Sequence, residues 1–120
     1  MRFQEYLKGL RLSRELGLRE FAHMIGMDVG NYSRIERGLS DPPQKEETIK
    51  AIVKALRLSK DEARQLSDLA STSRGRIPAD IVDEVKDYTY LPVLLRTIAN
   101  KQMSDEQLKE LTERINKEYR

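Results

Sequence analysis

The chain has 120 residues, of which 38% are hydrophobic and 35% charged, and it contains no cysteine. This length suits one compact domain, or one domain with a short appendage, and disfavours two independent cores, while the lack of thiols excludes disulfides and thiolate metal sites. No apolar run is long enough to span a bilayer, and the first residues alternate charged with apolar side chains, unlike a signal peptide. We therefore expect a cytoplasmic protein with no membrane segment.

Charge is distributed unevenly along the chain. Residues 1–60 contain twelve Lys and Arg against eight Asp and Glu, whereas residues 61–120 contain ten against twelve. Phosphate contacts dominate the affinity of DNA-binding proteins, so any nucleic-acid surface is expected in the basic half. A solvated charged surface produces the same asymmetry, and the charge alone does not decide between the two.

Helix signals recur throughout the chain and strand signals are nearly absent, which predicts an all-α protein. Asp28 is suited to cap a helix, and Gly26 and Gly38 suit the left-handed turns that precede and follow that helix. Ser59 and Glu62 form a capping box that opens a further helix. The five helices predicted for a first domain, residues 1–70, span 3–15, 18–25, 28–37, 45–57 and 59–70.

The last third of the chain predicts a short helical extension. Residues 71–76, reading STSRGR, are small, polar and basic, and are the best linker candidate. Helices are then expected to begin near Pro78, near Pro92 and at a Ser104–Gln107 capping box. So few apolar residues in 77–120 seldom support an independent core, so this extension is expected to pack on the first domain or on a partner subunit.

Residues 16–38, reading LGLREFAHMIGMDVGNYSRIERG, place a short helix, a glycine turn and a second helix in direct succession. Ala22 allows the two helices to cross closely, Gly26 allows the chain to reverse, and Ile35 fills the core from the second helix. In Phe21-Ala22, Gly26 and the run Ser33 to Gly38, this stretch resembles the Xre family, the helix-turn-helix domains of phage Cro and CI repressors. The resemblance covers about residues 3–70.

The resemblance implies that the helix at 28–37 enters the major groove of DNA with its amino-terminal end toward the bases. Arg34 then pairs with guanine, Asn31 with adenine or a phosphate, and Val29 contacts a thymine methyl group. Val29 and Gly30 replace polar residues common in the family, so Arg34 carries more of the readout. The expected DNA-binding residues are Arg19, Asp28, Val29, Gly30, Asn31, Ser33, Arg34, Arg37 and Lys45, with Arg19, Ser33, Arg37 and Lys45 as phosphate contacts.

A second set of residues is expected to be structural. The positions of Arg11 and Glu36 match those of an ion pair between the first and third helices of phage repressors, and Tyr32 is expected in the core. The structural set is Arg11, Ala22, Gly26, Ile35 and Glu36. His23 is the only histidine and cannot assemble a zinc site, and Ser33 has no partners for a catalytic triad. We expect no enzyme activity, metal or cofactor.

The function predicted from the sequence is transcriptional regulation through sequence-specific binding to double-stranded DNA. Two recognition helices about one helical turn apart, roughly 34 Å, double the base contacts, which favours a homodimeric repressor on an inverted repeat. One alternative is an antitoxin-type autoregulator whose residues 77–120 bind a partner protein. The other is a helical adaptor that binds only protein. RNA binding is disfavoured because the chain lacks an exposed aromatic stacking surface.

Overall fold

The computed structural model describes residues 1–120 and contains eight α-helices and no β-strand, which confirms the predicted all-α fold class. The helices are α1 (Phe3–Ser13), α2 (Leu18–Met24), α3 (Val29–Glu36), α4 (Glu46–Leu56), α5 (Lys60–Ser73), α6 (Val82–Val85), α7 (Leu91–Asn100) and α8 (Asp105–Glu118). The chain divides into two units, residues 1–80 and residues 81–120. No helix combines the length and the apolar composition needed to cross a bilayer.

The first unit has one core, built from side chains of α1 to α5. The buried apolar residues are Phe3, Leu7, Leu10, Phe21, Ala22, Tyr32, Ile35, Ile52, Leu56, Leu66 and Ala70. Many of them recur at three- and four-residue spacing, so the helices turn apolar stripes inward and leave charged side chains in water. α3 packs against both α1 and α2, and its orientation is therefore set by contacts with two neighbours.

Side-chain caps start three of the helices where the sequence predicts them. The Asp28 carboxylate accepts a hydrogen bond from the backbone N–H of Asn31 at 3.1 Å. The Ser59 hydroxyl accepts one from the N–H of Glu62, also at 3.1 Å, and the Ser104–Gln107 pair repeats this geometry at the start of α8. Each cap satisfies a backbone donor that the helix itself leaves without a partner.

The segment predicted as a linker, residues 71–76, differs from the structure at its start. α5 continues to Ser73, and the hydroxyls of Thr72 and Ser73 donate to the carbonyls of Asp68 and Ala70 at 2.8 and 3.0 Å. Both hydroxyls have hydrogen-bond partners within the helix, so these polar residues are compatible with a helical conformation. Arg74 then donates to the carbonyl of Pro42 at 2.8 Å, which fixes the chain beyond α5 to the first unit.

The second unit, residues 81–120, is helical but has no buried residue. The helix predicted from Pro78 is reduced to the four residues of α6, since a short helix without buried side chains gains little from packing. α7 begins with Pro92 in its first turn, as predicted, and α8 begins at its capping box. The unit therefore has helices but no core of its own.

Candidate nucleic-acid interface

α2 and α3 are joined by a tight four-residue turn, 25–28. Gly26 adopts a left-handed conformation with φ of +69°, and its N–H donates to the carbonyl of His23 at 3.1 Å. The N–H of Met27 donates to the carbonyl of Ala22 at 2.9 Å. Ala22 is fully buried, which fits the expectation that a small side chain lies where the two helices approach. His23 is exposed on α2.

The inward face of α3 anchors it in the core. The rings of Phe21 and Tyr32, both fully buried, meet edge to face with centroids 5.2 Å apart and planes at 75°. This is a favoured arrangement for aromatic pairs. Ile35 is buried one turn farther along the same face. These contacts fix which face of α3 remains available to a ligand.

A buried ion pair joins α1 to α3. The Arg11 Nε donates to the Glu36 Oε2 at 3.0 Å, a second guanidinium nitrogen donates to Oε1, and Nη1 donates to the carbonyl of Leu16 at 2.8 Å. Burial is the largest single influence and acts to raise the pKa of Glu36, but the hydrogen bonds and charge of Arg11, together with Tyr32 and the charge of Lys8, outweigh it and hold that pKa below its usual range. Burial raises the pKa of the neighbouring Tyr32 hydroxyl. This is the pair that the resemblance implies.

The outward face of α3 carries the polar side chains. Gly30, Asn31, Arg34 and Arg37 are exposed, and Val29 and Ser33 are half-buried. Arg34 makes no hydrogen bond or ion pair within the chain, so its five guanidinium N–H donors are all available. The Nε of Arg37 donates to a backbone carbonyl one turn earlier at 3.4 Å, which holds that side chain along the helix.

The first turn of α3 contains the helix cap as well as exposed residues of the candidate interface. The Asp28 carboxylate is engaged in capping, and Gly30 lies directly beside it. A Cβ added to Gly30 would lie 3.1 Å from the Asp28 Oδ2, closer than most such contacts, so glycine leaves room for the cap. Asp28 therefore caps α3, as the sequence predicts, and its place among the DNA-binding residues stays a prediction.

An open concavity brings the start of α2 next to the start of α3. It is lined by Gly17, Leu18, Arg19, Glu20, Val29, Gly30 and Ser33. Of the expected phosphate contacts, Arg19 and Ser33 share this concavity, and Arg37 lies farther along α3. Lys45 does not line it. That residue precedes α4 and lies in a separate depression with Glu46, Glu47 and Lys50.

Comparison with known families matches residues 2–66, more than half of the chain, to the family described as the helix-turn-helix domain. The chain belongs to the helix-turn-helix family. No curated protein and no solved structure matches it. The matched residues contain α1 to α4, including the α2–turn–α3 unit, and the family match supports DNA binding by this helix-turn-helix protein.

Sequence reasoning missed several residues that hold the helix-turn-helix domain together. Arg14 donates to the carbonyl of Leu56 at 2.9 Å and to the Glu62 carboxylate at 3.0 Å, so Glu62 closes a capping box and also binds α1. Gly38 adopts the left-handed conformation that the sequence predicts, with φ of +76°, but its close approach to Gln4 was missed: a Cβ there would lie 2.9 Å from the Gln4 side-chain nitrogen. No local pattern marks such contacts, because their partners are distant in sequence.

Proposed function

We propose that this helix-turn-helix protein is a transcriptional regulator of the Xre type that reads a specific double-stranded DNA sequence through α3. In this proposal it acts as a homodimeric repressor on an inverted repeat, without enzyme activity. Arg34 and Asn31 read base edges, Val29 and Gly30 face the bases, and Arg19, Ser33, Arg37 and Lys45 contact phosphates. Asp28 supports the interface by capping the helix.

One observation carries the proposal: Arg34 is exposed on the helix that follows the tight turn and has no partner within the chain. Core contacts on the opposite face hold that helix in place, through buried Tyr32, Ile35 and Glu36. An unpaired guanidinium on a rigid helix is suited to donate two parallel hydrogen bonds to guanine, which supplies about 1–3 kcal/mol of discrimination against other bases. A side chain tied to a structural carboxylate would lack this capacity.

The interface of one chain is small, which favours a dimer. α3 has eight residues, and only its outward face is available for base contacts. Two such helices related by a twofold axis double the base contacts and impose inverted symmetry on the site, with half-sites about 34 Å apart. A homodimer therefore explains how so few base-reading side chains select one genomic site.

Selection of binding sites from a random duplex pool tests the proposal. The full chain is immobilised, bound duplexes are amplified and sequenced, and the rounds are repeated at two salt concentrations. We expect one enriched inverted repeat that contains a G·C pair at matched positions in each half-site. A pool that stays random while binding weakens with salt would overturn sequence-specific regulation and leave only charge-driven attraction.

A further inference from the structure

Residues 81–120 expose an unusual share of the molecule's apolar surface. They contain nine of the 14 exposed large hydrophobic side chains, although they form only a third of the chain. None of α6, α7 and α8 buries a residue. Large exposed apolar patches mark surfaces of association, so we expect a second surface to cover these side chains.

The exposed residues form a stripe on α7. Leu91, Leu94, Leu95 and Ile98 follow the three- and four-residue spacing that places side chains on one helix face. Leu91 and Ile98 are half-buried, whereas Leu94 and Leu95 are 44% and 52% exposed. The side chains along the centre of the stripe are therefore half-buried, and those along its two edges are exposed.

A second stripe lies on α8. Leu108, Leu111 and Ile115 share one face, and Tyr119 follows the helix directly. Exposure increases along this stripe, because Leu108 and Leu111 are half-buried while Ile115 is 46% and Tyr119 is 74% exposed. The apolar face of α8 is thus more open in its carboxyl-terminal half than in its amino-terminal half.

Charges beside the open half of α8 suit a second copy of the same segment. Arg114 and Glu118, four residues apart, line one edge of the face that carries Ile115, and neither has an ion pair within the chain. When two α8 helices lie antiparallel, Arg114 of each meets Glu118 of the other. Residues 81–120 also contain seven basic and eight acidic residues, so like-charge repulsion does not oppose self-association.

We propose that residues 81–120 form the dimer interface, in which the α7 and α8 stripes of two copies pack together and the two α8 helices run antiparallel. This inference rests on the homodimer of the proposed function and names its surface and register. Four helices from two chains supply the shared core that one copy of this segment lacks. The proposed interface uses no residue of the helix-turn-helix domain.

Sedimentation equilibrium of the full chain tests the interface. We expect the wild type to have twice the 14.0 kDa chain mass at micromolar concentration. A Leu94→Lys, Leu95→Lys double variant places two unpaired charges in the interface and raises the dimer dissociation constant by about 100-fold. Leu12→Lys is the matched control, because Leu12 is 55% exposed on α1 of the first unit, and it leaves the dimer intact.

A charge exchange tests the antiparallel register. Arg114→Glu alone sets two acidic side chains against each other, and Glu118→Arg alone sets two basic ones, so each variant weakens its own dimer. Mixing the two variants restores both opposite-charge contacts, and we expect a heterodimer at concentrations where each variant alone is monomeric. A mixture no more dimeric than its components contradicts the antiparallel pairing.

The outcomes separate this inference from the function on which it rests. A wild type that stays monomeric up to about 100 μM overturns the interface, as does a dimer that the lysine substitutions leave unchanged. If that same protein still enriches one DNA half-site, the DNA-binding proposal stands without the interface. A stable dimer that enriches no DNA sequence retains the interface and overturns the regulatory function. A one-to-one complex with a different protein through α7 and α8, formed while the chain does not self-associate, also overturns the inference.

Discussion

At the residue scale, the Arg11–Glu36 pair shows how the fold and the interface depend on each other. The two side chains are only 7% and 4% exposed, so each charge relies on the other for solvation. We predict that Glu36→Gln, which leaves the guanidinium without its counter-charge, lowers the free energy of unfolding by about 3–5 kcal/mol. Urea denaturation measures this loss.

A double replacement supplies the control for that prediction. Arg11→Met with Glu36→Leu removes both charges and keeps apolar volume, and such exchanges are often close to neutral. We therefore expect the double variant to be more stable than Glu36→Gln alone. Equal losses in the two variants would show that packing of these side chains, and not their pairing, carries the stability.

The lowered pKa of Glu36 predicts a dependence of stability on pH. Because this pKa is lower in the folded than in the unfolded chain, its contribution is fully present above the unfolded value, about 4.3. The contribution is lost as the pH falls from there through the folded pKa. Urea titrations between pH 7 and pH 3 should show a steeper acid loss in the wild type than in Glu36→Gln. Parallel curves would contradict this assignment.

Asp28 allows capping and charge to be separated. We predict that Asp28→Ala costs about 1 kcal/mol of stability, because the N–H of Asn31 loses its acceptor. Asp28→Asn keeps an acceptor and removes a negative charge beside the proposed phosphate contacts. We expect it to retain stability and to tighten DNA binding about threefold at low salt. Weaker binding by Asp28→Asn would indicate that the carboxylate itself contacts DNA.

At the element scale, the turn between α2 and α3 sets the geometry of the interface. Gly26 has φ of +69°, and no atom lies within 4 Å of an added Cβ. Alanine at this position would therefore cause backbone strain but no steric clash. We predict that Gly26→Ala lowers the free energy of unfolding by about 1–2 kcal/mol. Gly9 also has open space around its Cβ position but lies within helical α1, so Gly9→Ala should stabilise by up to about 1 kcal/mol.

The two glycine variants are measured by thermal and urea unfolding under the same conditions. Opposite signs for Gly26→Ala and Gly9→Ala are the expected outcome, because the substitution is the same and only the backbone conformation differs. A stabilising effect at both positions would mean that the turn tolerates an L side chain, and the close crossing of α2 and α3 would then need another cause.

Element starts could be predicted from the sequence because their signals are local. Asp28, Ser59 and Ser104 each cap a helix within three residues, and these starts are found where they were expected. Long-range contacts could not be predicted, since Arg14 reaches Leu56 across 42 residues. The end of α5 was missed because a helix end rich in Ser and Thr has the same residue composition as a linker. The short α6 reflects absent packing, which no local pattern shows.

The outward face of α3 could be predicted for the same reason, since its signals are also local. Alternation of buried and exposed residues along α3 follows from helical periodicity, so the outward position of Arg34 could be predicted once the helix was found. The separation of Lys45 from Arg19 and Ser33 depends on how α4 packs, and it required the structure.

At the scale of the whole molecule, the proposed DNA-binding surface and the proposed dimer surface lie in different units. Residues 1–80 fold around one core and present α3, while residues 81–120 lack a core and present apolar stripes. The excess of basic residues in 1–60 attracts DNA, and the nearly balanced charge of 81–120 permits association between copies. Sequence-specific DNA binding by α3 is the central claim that connects these features.

Binding of Arg34→Ala to the selected duplex tests that claim most directly. Fluorescence anisotropy compares this variant, the wild type and Arg64→Ala, which removes the same charge from an exposed position on α5. We predict that Arg34→Ala loses about 5- to 150-fold of the preference at each half-site of the selected duplex over a scrambled one, while Arg64→Ala keeps it. A wild type without preference, or an Arg34→Ala variant that retains the full preference, would contradict readout by this helix.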